Sequence, residues 1–256
     1  MMEAIILGCG TSHGVPMVAC DCAVCTSDDP RNYRTRCAIA ILGSEGTLLV
    51  DAPPELRVQL VRERIRGVDA VLVTHSHADH IMGLDDVRRF NELTGAPMPL
   101  YGQPRTLQDI RRVFLYAFEP PEQESGGLPS YDLRETGTTL NVGDVCARLF
   151  EVLHGRLPVL GLRVGDFAYL TDVSEIPEQA RRQLTGVGTL VMDATRRAPH
   201  PSHFHLEKSV QVALELGARR TYFTHLSHDY DYEATCAELP RGIELAYDGL
   251  RIVIQP

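Results

Sequence analysis

Three histidines and one aspartate fall within six consecutive positions, His75-Ser76-His77-Ala78-Asp79-His80. Imidazole and carboxylate together suit zinc, manganese or iron, and so many ligands in one stretch exceed what a single ion needs. His75 and His77, two residues apart in an extended turn, can share one side, while Asp79 and His80 come round on the next turn of chain. A softer cluster lies upstream. Cys20, Cys22 and Cys25 form a Cys-x-Cys-x-x-Cys run, three thiolates toward a structural zinc whose tetrahedron needs a fourth ligand. Cys37 and His228 both compete for that position. A third group, His200-Pro201-Ser202-His203-Phe204-His205, offers three imidazoles whose ordinary pKa near neutrality suits proton transfer, and one of the three suffices.

Ligands must project from a rigid support, and the six-residue cluster follows an apolar strand expected over 69–73. Upstream, 4–7 reads as a strand running into a glycine-rich turn, 8–16, whose spacing matches neither phosphate-binding fingerprint. The segments 37–42 and 47–50 read as paired strands around a turn, and 54–63 as a helix. Apolar residues at Met82, Leu84, Val87, Phe90 and Leu93 predict one amphipathic helix after the cluster. A strand over 98–101 and a helix over 104–116 follow. The stretch from Glu119 to Ser130, rich in Pro, Glu and Gly, reads as an exposed mobile loop, a lid or a contact surface. In the second half, strands are expected over 138–140, 145–153, 160–164, 167–170, 190–193, 221–224 and 251–254, with a helix over 206–216. Both halves are strand-rich first and alternating later. That order favours two sheets face to face with helices outside, an α/β four-layer αββα sandwich, as one domain over 1–256.

The 256 residues carry a formal charge of -9, which opposes extended nucleic-acid binding by bulk electrostatics. A small anionic ester remains compatible, drawn locally by metal ions. No apolar run approaches the ~20 residues of a membrane helix, and the first residues lack the pattern of a secretory signal. Seven cysteines without such a signal argue for reduced thiols and a cytoplasmic protein rather than a disulfide framework. A homodimer is compatible with all of this.

The cluster after an apolar strand, followed by Ile81-Met82-Gly83-Leu84, resembles the His-x-His-x-Asp-His motif of the metallo-β-lactamase superfamily. The resemblance implies an αββα sandwich with metals at one edge, and further ligands downstream at strand ends: a histidine, an aspartate and a last histidine. His154, Asp172 and His225 stand in that order. By analogy one ion takes His75, His77 and His154, the other Asp79, His80 and His225, with Asp172 between them. Two such ions, Mn2+ or Zn2+, would hold a bridging hydroxide as nucleophile, with Asp79 counted among the catalytic residues.

Within the superfamily the chain resembles the phosphodiesterases that open phosphoribosyl cyclic phosphates in phosphonate breakdown. Gly14-Val15-Pro16, the cysteine run, the cluster, Thr171-Asp172, His203 and Thr224-His225-Leu226-Ser227-His228 carry this likeness. It implies His203 as general acid and His228 as the fourth ligand beside Cys20, Cys22 and Cys25. The expected substrate is a small, cyclic phosphodiester, a phosphoribosyl cyclic phosphate or a cyclic nucleotide. Two other readings stand beside it. One is an accessory protein of pyrroloquinoline quinone synthesis, which shares the cysteine run. The other is a lactam or thioester hydrolase, in which His203 loses its evident purpose. The stretches 51–55 and 192–197 are not carried over from the resemblance, and Arg196 and Arg197 are left without a role.

Overall fold

In the computed structural model, which describes residues 1–119 and 127–255, the chain folds into two seven-stranded sheets. Along the chain the strands are β1 (Met2–Gly8), β2 (Ala38–Leu42), β3 (Thr47–Val50), β4 (Ala70–Leu72), β5 (Met98–Gly102), β6 (Tyr131–Glu135), β7 (Thr139–Val142), β8 (Val145–His154), β9 (Leu157–Val164), β10 (Phe167–Leu170), β11 (Thr189–Asp193), β12 (Arg220–Thr224), β13 (Ile243–Leu245) and β14 (Arg251–Ile254). The helices are α1 (Leu56–Arg62), α2 (Ala78–Ile81), α3 (Arg88–Thr94), α4 (Pro104–Val113), α5 (Glu178–Leu184), α6 (Leu206–Leu216) and α7 (Tyr232–Glu238). Sheet one runs β14-β1-β2-β3-β4-β5-β6 and sheet two β13-β12-β11-β10-β9-β8-β7.

Strands β1 to β4 of sheet one are apolar on both faces, and this forces layers on both sides. Successive side chains of a strand point to opposite faces. Ala4 and Ile6 of β1, Ile39 and Ile41 of β2 and Leu48 and Val50 of β3 therefore join the core between the sheets. Their alternates Ile5, Leu7, Ala38, Ala40 and Leu49 pack on a second core beneath α1, α3 and α4, with Leu56, Phe90 and Ile110. Burial on two faces removes far more apolar surface than a one-sided sheet would, at roughly 25 cal/mol per Å². The αββα sandwich expected from the sequence is the fold observed.

Several local expectations change. The single helix after the histidine cluster is broken into α2, a 3-10 turn over Leu84–Val87 and α3. Ala52 is the cause: its amide bonds the His80 carbonyl and its carbonyl takes the Gly83 amide, diverting the groups that would continue α2. Gly83 itself lies against the Pro53 carbonyl, with no room for a side chain. Of the five apolar residues assigned to that helix, Leu84, Val87 and Phe90 are buried, whereas Met82 and Leu93 are exposed. The helix over 104–116 ends at Val113, with a 3-10 turn following. Strands β6 and β13 and helices α5 and α7 had no expectation. Of the loop expected over 119–130, residues 120–126 lie outside the described residues. Among the described residues no helix is long and apolar enough to cross a membrane.

Candidate metal centre

Within sheet one β3 and β4 are parallel neighbours, and within sheet two β10, β11 and β12 are parallel neighbours. Their carboxyl ends meet at one edge of the sandwich, where strand-end residues from both sheets can face each other. Asp51 follows β3, His75 follows β4, His154 ends β8, Asp172 follows β10, Asp193 ends β11 and His225 follows β12. Three of them, Asp51 (φ 64°), Asp172 (φ 54°) and His225 (φ 58°), sit in the left-handed region that non-glycine residues avoid. Such strain, of order 1–3 kcal/mol each, persists where the surroundings dictate the conformation.

The donor atoms of His75, His77, His154 and Asp172 lie within 4.8 Å of one another, as do those of Asp79, His80 and His225. Asp172 faces both groups. Its Oδ2 is 3.8 Å from His75 Nε2 and 3.9 Å from His154 Nε2, while its Oδ1 is 3.2 Å from His80 Nε2 and 3.5 Å from His225 Nε2. Asp79 Oδ2 lies 3.5 Å from His80 Nε2 and 3.7 Å from His225 Nε2.

Two buried carboxylates hold the imidazoles from behind. Asp51 accepts from His80 Nδ1 at 2.8 Å and from the Thr74 hydroxyl, which sits 3.1 Å from His75 Nδ1. Asp193 accepts from His203 Nδ1 at 2.7 Å and from the Thr195 hydroxyl, which sits 3.1 Å from His225 Nδ1. His154 Nδ1 donates to the Ser202 carbonyl at 2.7 Å. With Nδ1 of His75, His80, His154 and His225 engaged, Nε2 is the ring atom of each that faces Asp172, which is how outer partners orient metal-binding histidines.

The electrostatics call for positive charge at the centre. Burial would push the Asp172 carboxyl up, but the imidazoles of His225 and His80 outweigh it and hold Asp172 well below the carboxylate range. Burial lowers the pKa of His225, yet the nearby Asp172 and Asp79 carboxylates raise it to about 9. Burial likewise keeps His75 neutral, its pKa well below normal. The field that draws a proton onto His225 equally favours a cation between these side chains. Nε2 of His75, His80 and His225 are sealed from solvent without a hydrogen-bond partner. Orphaned buried nitrogens are costly, so these residues fit bound divalent ions.

His203 lies beside this cluster, its ring stacked on His225 at 4.7 Å between centroids and 15° between planes, with His154 at 4.4 Å. Its side chain is 10% exposed and lines a cleft of about 460 Å³ with Thr11, His13, Arg196, His200 and Ser227. His200 turns to Ser202, and His205 stands at the N-cap position of α6 without a side-chain bond to the helix. Arg196 and Arg197 part company: Arg196 lines the cleft, whereas Arg197 bonds Glu238 and Thr235 and stacks over Tyr230.

The thiols of Cys20, Cys22 and Cys25 lie 3.2, 3.5 and 3.6 Å from His228 Nδ1. Cys37 is elsewhere, buried with its thiol against the Gly10 carbonyl and the Thr224 hydroxyl. Between the two candidates for the fourth position, His228 is the one the fold brings to the thiols. The Cys25 amide and neighbouring thiols pull Cys22 down to about 6, so a soft anionic ligand is available near neutral pH.

Asp51 and Asp193 are the residues that sequence reasoning missed. Both end strands after apolar runs, Leu48-Leu49-Val50-Asp51 and Leu190-Val191-Met192-Asp193, the same signal that marks Asp172 in Tyr169-Leu170-Thr171-Asp172.

This arrangement, strand-end imidazoles and carboxylates at the edge of an αββα sandwich, is that of a metallo-hydrolase fold equipped for divalent metal. Residues 47–226 match the family model of the beta-lactamase superfamily domain, and the chain belongs to that superfamily. More particularly, it is a metallo-β-lactamase-fold hydrolase similar to a solved diphosphatase of the PhnP family: 39% identity, 100% of this chain and 98% of that chain covered, and a TM-score of 0.92. An octanoyltransferase of Porphyromonas gingivalis is 35% identical over 258 residues, 99% of this chain and 52% of that relative. The chain thus spans about half the length of that protein. The coenzyme PQQ synthesis protein B of Methylorubrum extorquens strain AM1 is 33% identical over 303 residues, covering 98% of this chain and 99% of the relative. A zinc-bound PqqB structure from Methylobacterium extorquens shares the fold, with a TM-score of 0.79 at 20% identity over 98% of this chain and 100% of that one.

Proposed function

We propose that this chain is a dinuclear metal-dependent phosphodiesterase that hydrolyses a small, cyclic phosphodiester such as a phosphoribosyl cyclic phosphate or a cyclic nucleotide. The observation that carries the reading is the Asp172 carboxylate, whose two oxygens face two separate nitrogen sets, His75 and His154 on one side and His80 and His225 on the other. With His77 completing the first set and Asp79 the second, the residues divide into two ligand groups sharing one carboxylate. Two divalent ions there, Mn2+ or Zn2+, would supply Lewis acidity toward phosphoryl oxygens and a bound water acidic enough to serve near neutral pH.

The chain's own residues supply the rest. A departing alkoxide needs a proton, and His203 stands beside the cluster at the cleft, its Nδ1 bonded to Asp193, so that its Nε2 is the atom left to donate. Asp193 fixes the ring's orientation. The volume of the cleft suits a small ester. Arg196 reaches it with Nε and Nη2 tied to the Ala198 and Pro199 carbonyls, which presets the guanidinium. Cys20, Cys22, Cys25 and His228 form the donor set of a structural zinc that ties the loop before β2 to the turn after β12.

Similarity over nearly full length to the PQQ synthesis protein supports a second reading, a role in quinone-cofactor synthesis. The retained set of Asp79, His80 and His225 favours the hydrolase. A carbonyl hydrolase would leave the Asp193-held His203 without a task.

Turnover should be measured on cyclic and linear phosphodiesters, a thioester and a lactam with manganese- and zinc-loaded protein. Hydrolysis of a phosphodiester in preference to the carbonyl substrates is expected. Thioester or lactam turnover alone would sink the proposal.

A further inference from the structure

Among the described residues the largest side chain sealed from solvent belongs to Arg34, 1% exposed. A buried guanidinium is expensive unless it is paired, and arginine stays charged at any physiological pH. Among the described residues no carboxylate lies within ion-pair distance of it. Two of its three hydrogen bonds go to one turn instead. Nη1 bonds the Ser227 carbonyl at 3.1 Å, and Nη2 bonds the Tyr230 carbonyl at 2.7 Å and Asn32 Oδ1 at 3.1 Å. Nε has no partner.

Ser227 and Tyr230 flank His228, and His225 begins the same turn. The carbonyl bonds therefore hold the piece of chain that carries His228 of the thiolate group and His225 of the group with Asp79 and His80. Asn32 extends the hold. Its Nδ2 donates to Asp231 Oδ2 at 2.8 Å and its Oδ1 accepts the Tyr232 amide, while Asp231 Oδ1 caps the start of α7. The charge of Arg34 is thus met indirectly, through Asn32, by Asp231. On its other side the backbone of Arg34 pairs both ways with Val15, at the root of the loop that bears the cysteines. One residue ties the cysteine loop to the histidine turn.

We propose that Arg34 is a positioning residue: its guanidinium fixes the 225–230 turn against the cysteine loop and so sets His228 for the thiolate site and His225 for the catalytic cluster. A hydrophobic residue of similar volume would satisfy the packing but bind neither carbonyl. The inference rests on the metal-site reading above, because it concerns what those imidazoles are positioned to hold.

The test uses cobalt, whose bond to thiolate gives a charge-transfer absorption that reports the site of Cys20, Cys22 and Cys25 apart from any activity. Wild-type protein, Arg34→Met and Asn32→Ala are titrated with cobalt against a competing chelator, with circular dichroism to verify the fold. Arg34→Met is expected to weaken the thiolate–cobalt signal about 10–100-fold, as loss of an outer partner does. Asn32→Ala is expected to weaken it less. Arg62→Met, which removes a half-buried arginine bonded to Asp248, should match wild type. Equal cobalt affinity in folded Arg34→Met and wild type overturns the inference alone. Should Arg34→Met not fold, an unchanged affinity in Asn32→Ala overturns it. A wild-type protein without any thiolate–cobalt band removes the thiolate-site reading, and this inference with it.

Discussion

Behind the imidazoles of the centre each sheet places one buried supporting aspartate, and the two work alike up to a point. Asp51, after β3, bonds one imidazole directly, His80, and reaches a second, His75, through the Thr74 hydroxyl. Asp193, ending β11, bonds His203 directly and reaches His225 through the Thr195 hydroxyl. The halves then diverge. His80 is wholly buried with its Nε2 3.2 Å from Asp172, whereas His203 borders the cleft. One carboxylate–threonine pair therefore serves two candidate ligands, and the other serves a candidate ligand and a candidate proton donor. Solvent access, not the local hydrogen bonding, separates the two roles.

The comparison breaks most completely where the halves share a residue. Asp172→Ala removes the carboxylate common to both sets, and kcat is expected to fall about 10⁴-fold, with loss of bound metal on analysis of metal content. His203→Ala touches only the sheet-two half. Its kcat should drop on the order of 10²- to 10³-fold with KM little changed on an alkyl ester. That loss should shrink on a p-nitrophenyl ester, whose leaving group needs no proton; an equal loss on both would remove His203 from proton transfer.

The supporting carboxylates sharpen the contrast further. Asp51→Asn is expected to weaken metal binding about 10–100-fold in a chelator competition, because both of its imidazoles are ligand candidates. Asp193→Asn should lower kcat within the same range while retaining more metal. If the two variants lost metal equally, the division of roles between the halves would be wrong. The smallest effect on turnover is expected from Cys22→Ser, outside both halves. It should cost one metal per chain and lower the melting temperature, roughly 2–4 °C for each kcal/mol of stability removed, with turnover largely retained.

Much of this was legible in the sequence because the informative signals are local. Strands apolar on both faces announce buried sheets, and the cluster from His75 to His80 needs no tertiary information to be recognised. His154, Asp172 and His225 were found by their place after apolar strands, with the order supplied by family resemblance. Asp51 and Asp193 end equally apolar strands but were not singled out, since their value lies in partners 29 and 10 residues away, His80 and His203. Arg34 gave no signal at all: an arginine in Asn32-Tyr33-Arg34-Thr35-Arg36 reads as solvated surface until the turn at 227–230 closes over it. The break in the helix after His80 escaped for the same reason, because Ala52, which causes it, comes from another part of the chain.

The central claim is that the chain holds two catalytic ions on either side of Asp172, and anomalous diffraction from crystals of the manganese- or zinc-loaded protein tests it most directly. Two peaks flanking the Asp172 carboxylate are expected, one beside His75, His77 and His154 and one beside Asp79, His80 and His225, with a zinc peak among Cys20, Cys22, Cys25 and His228. A single peak in the histidine and aspartate cluster at saturating metal would contradict the account.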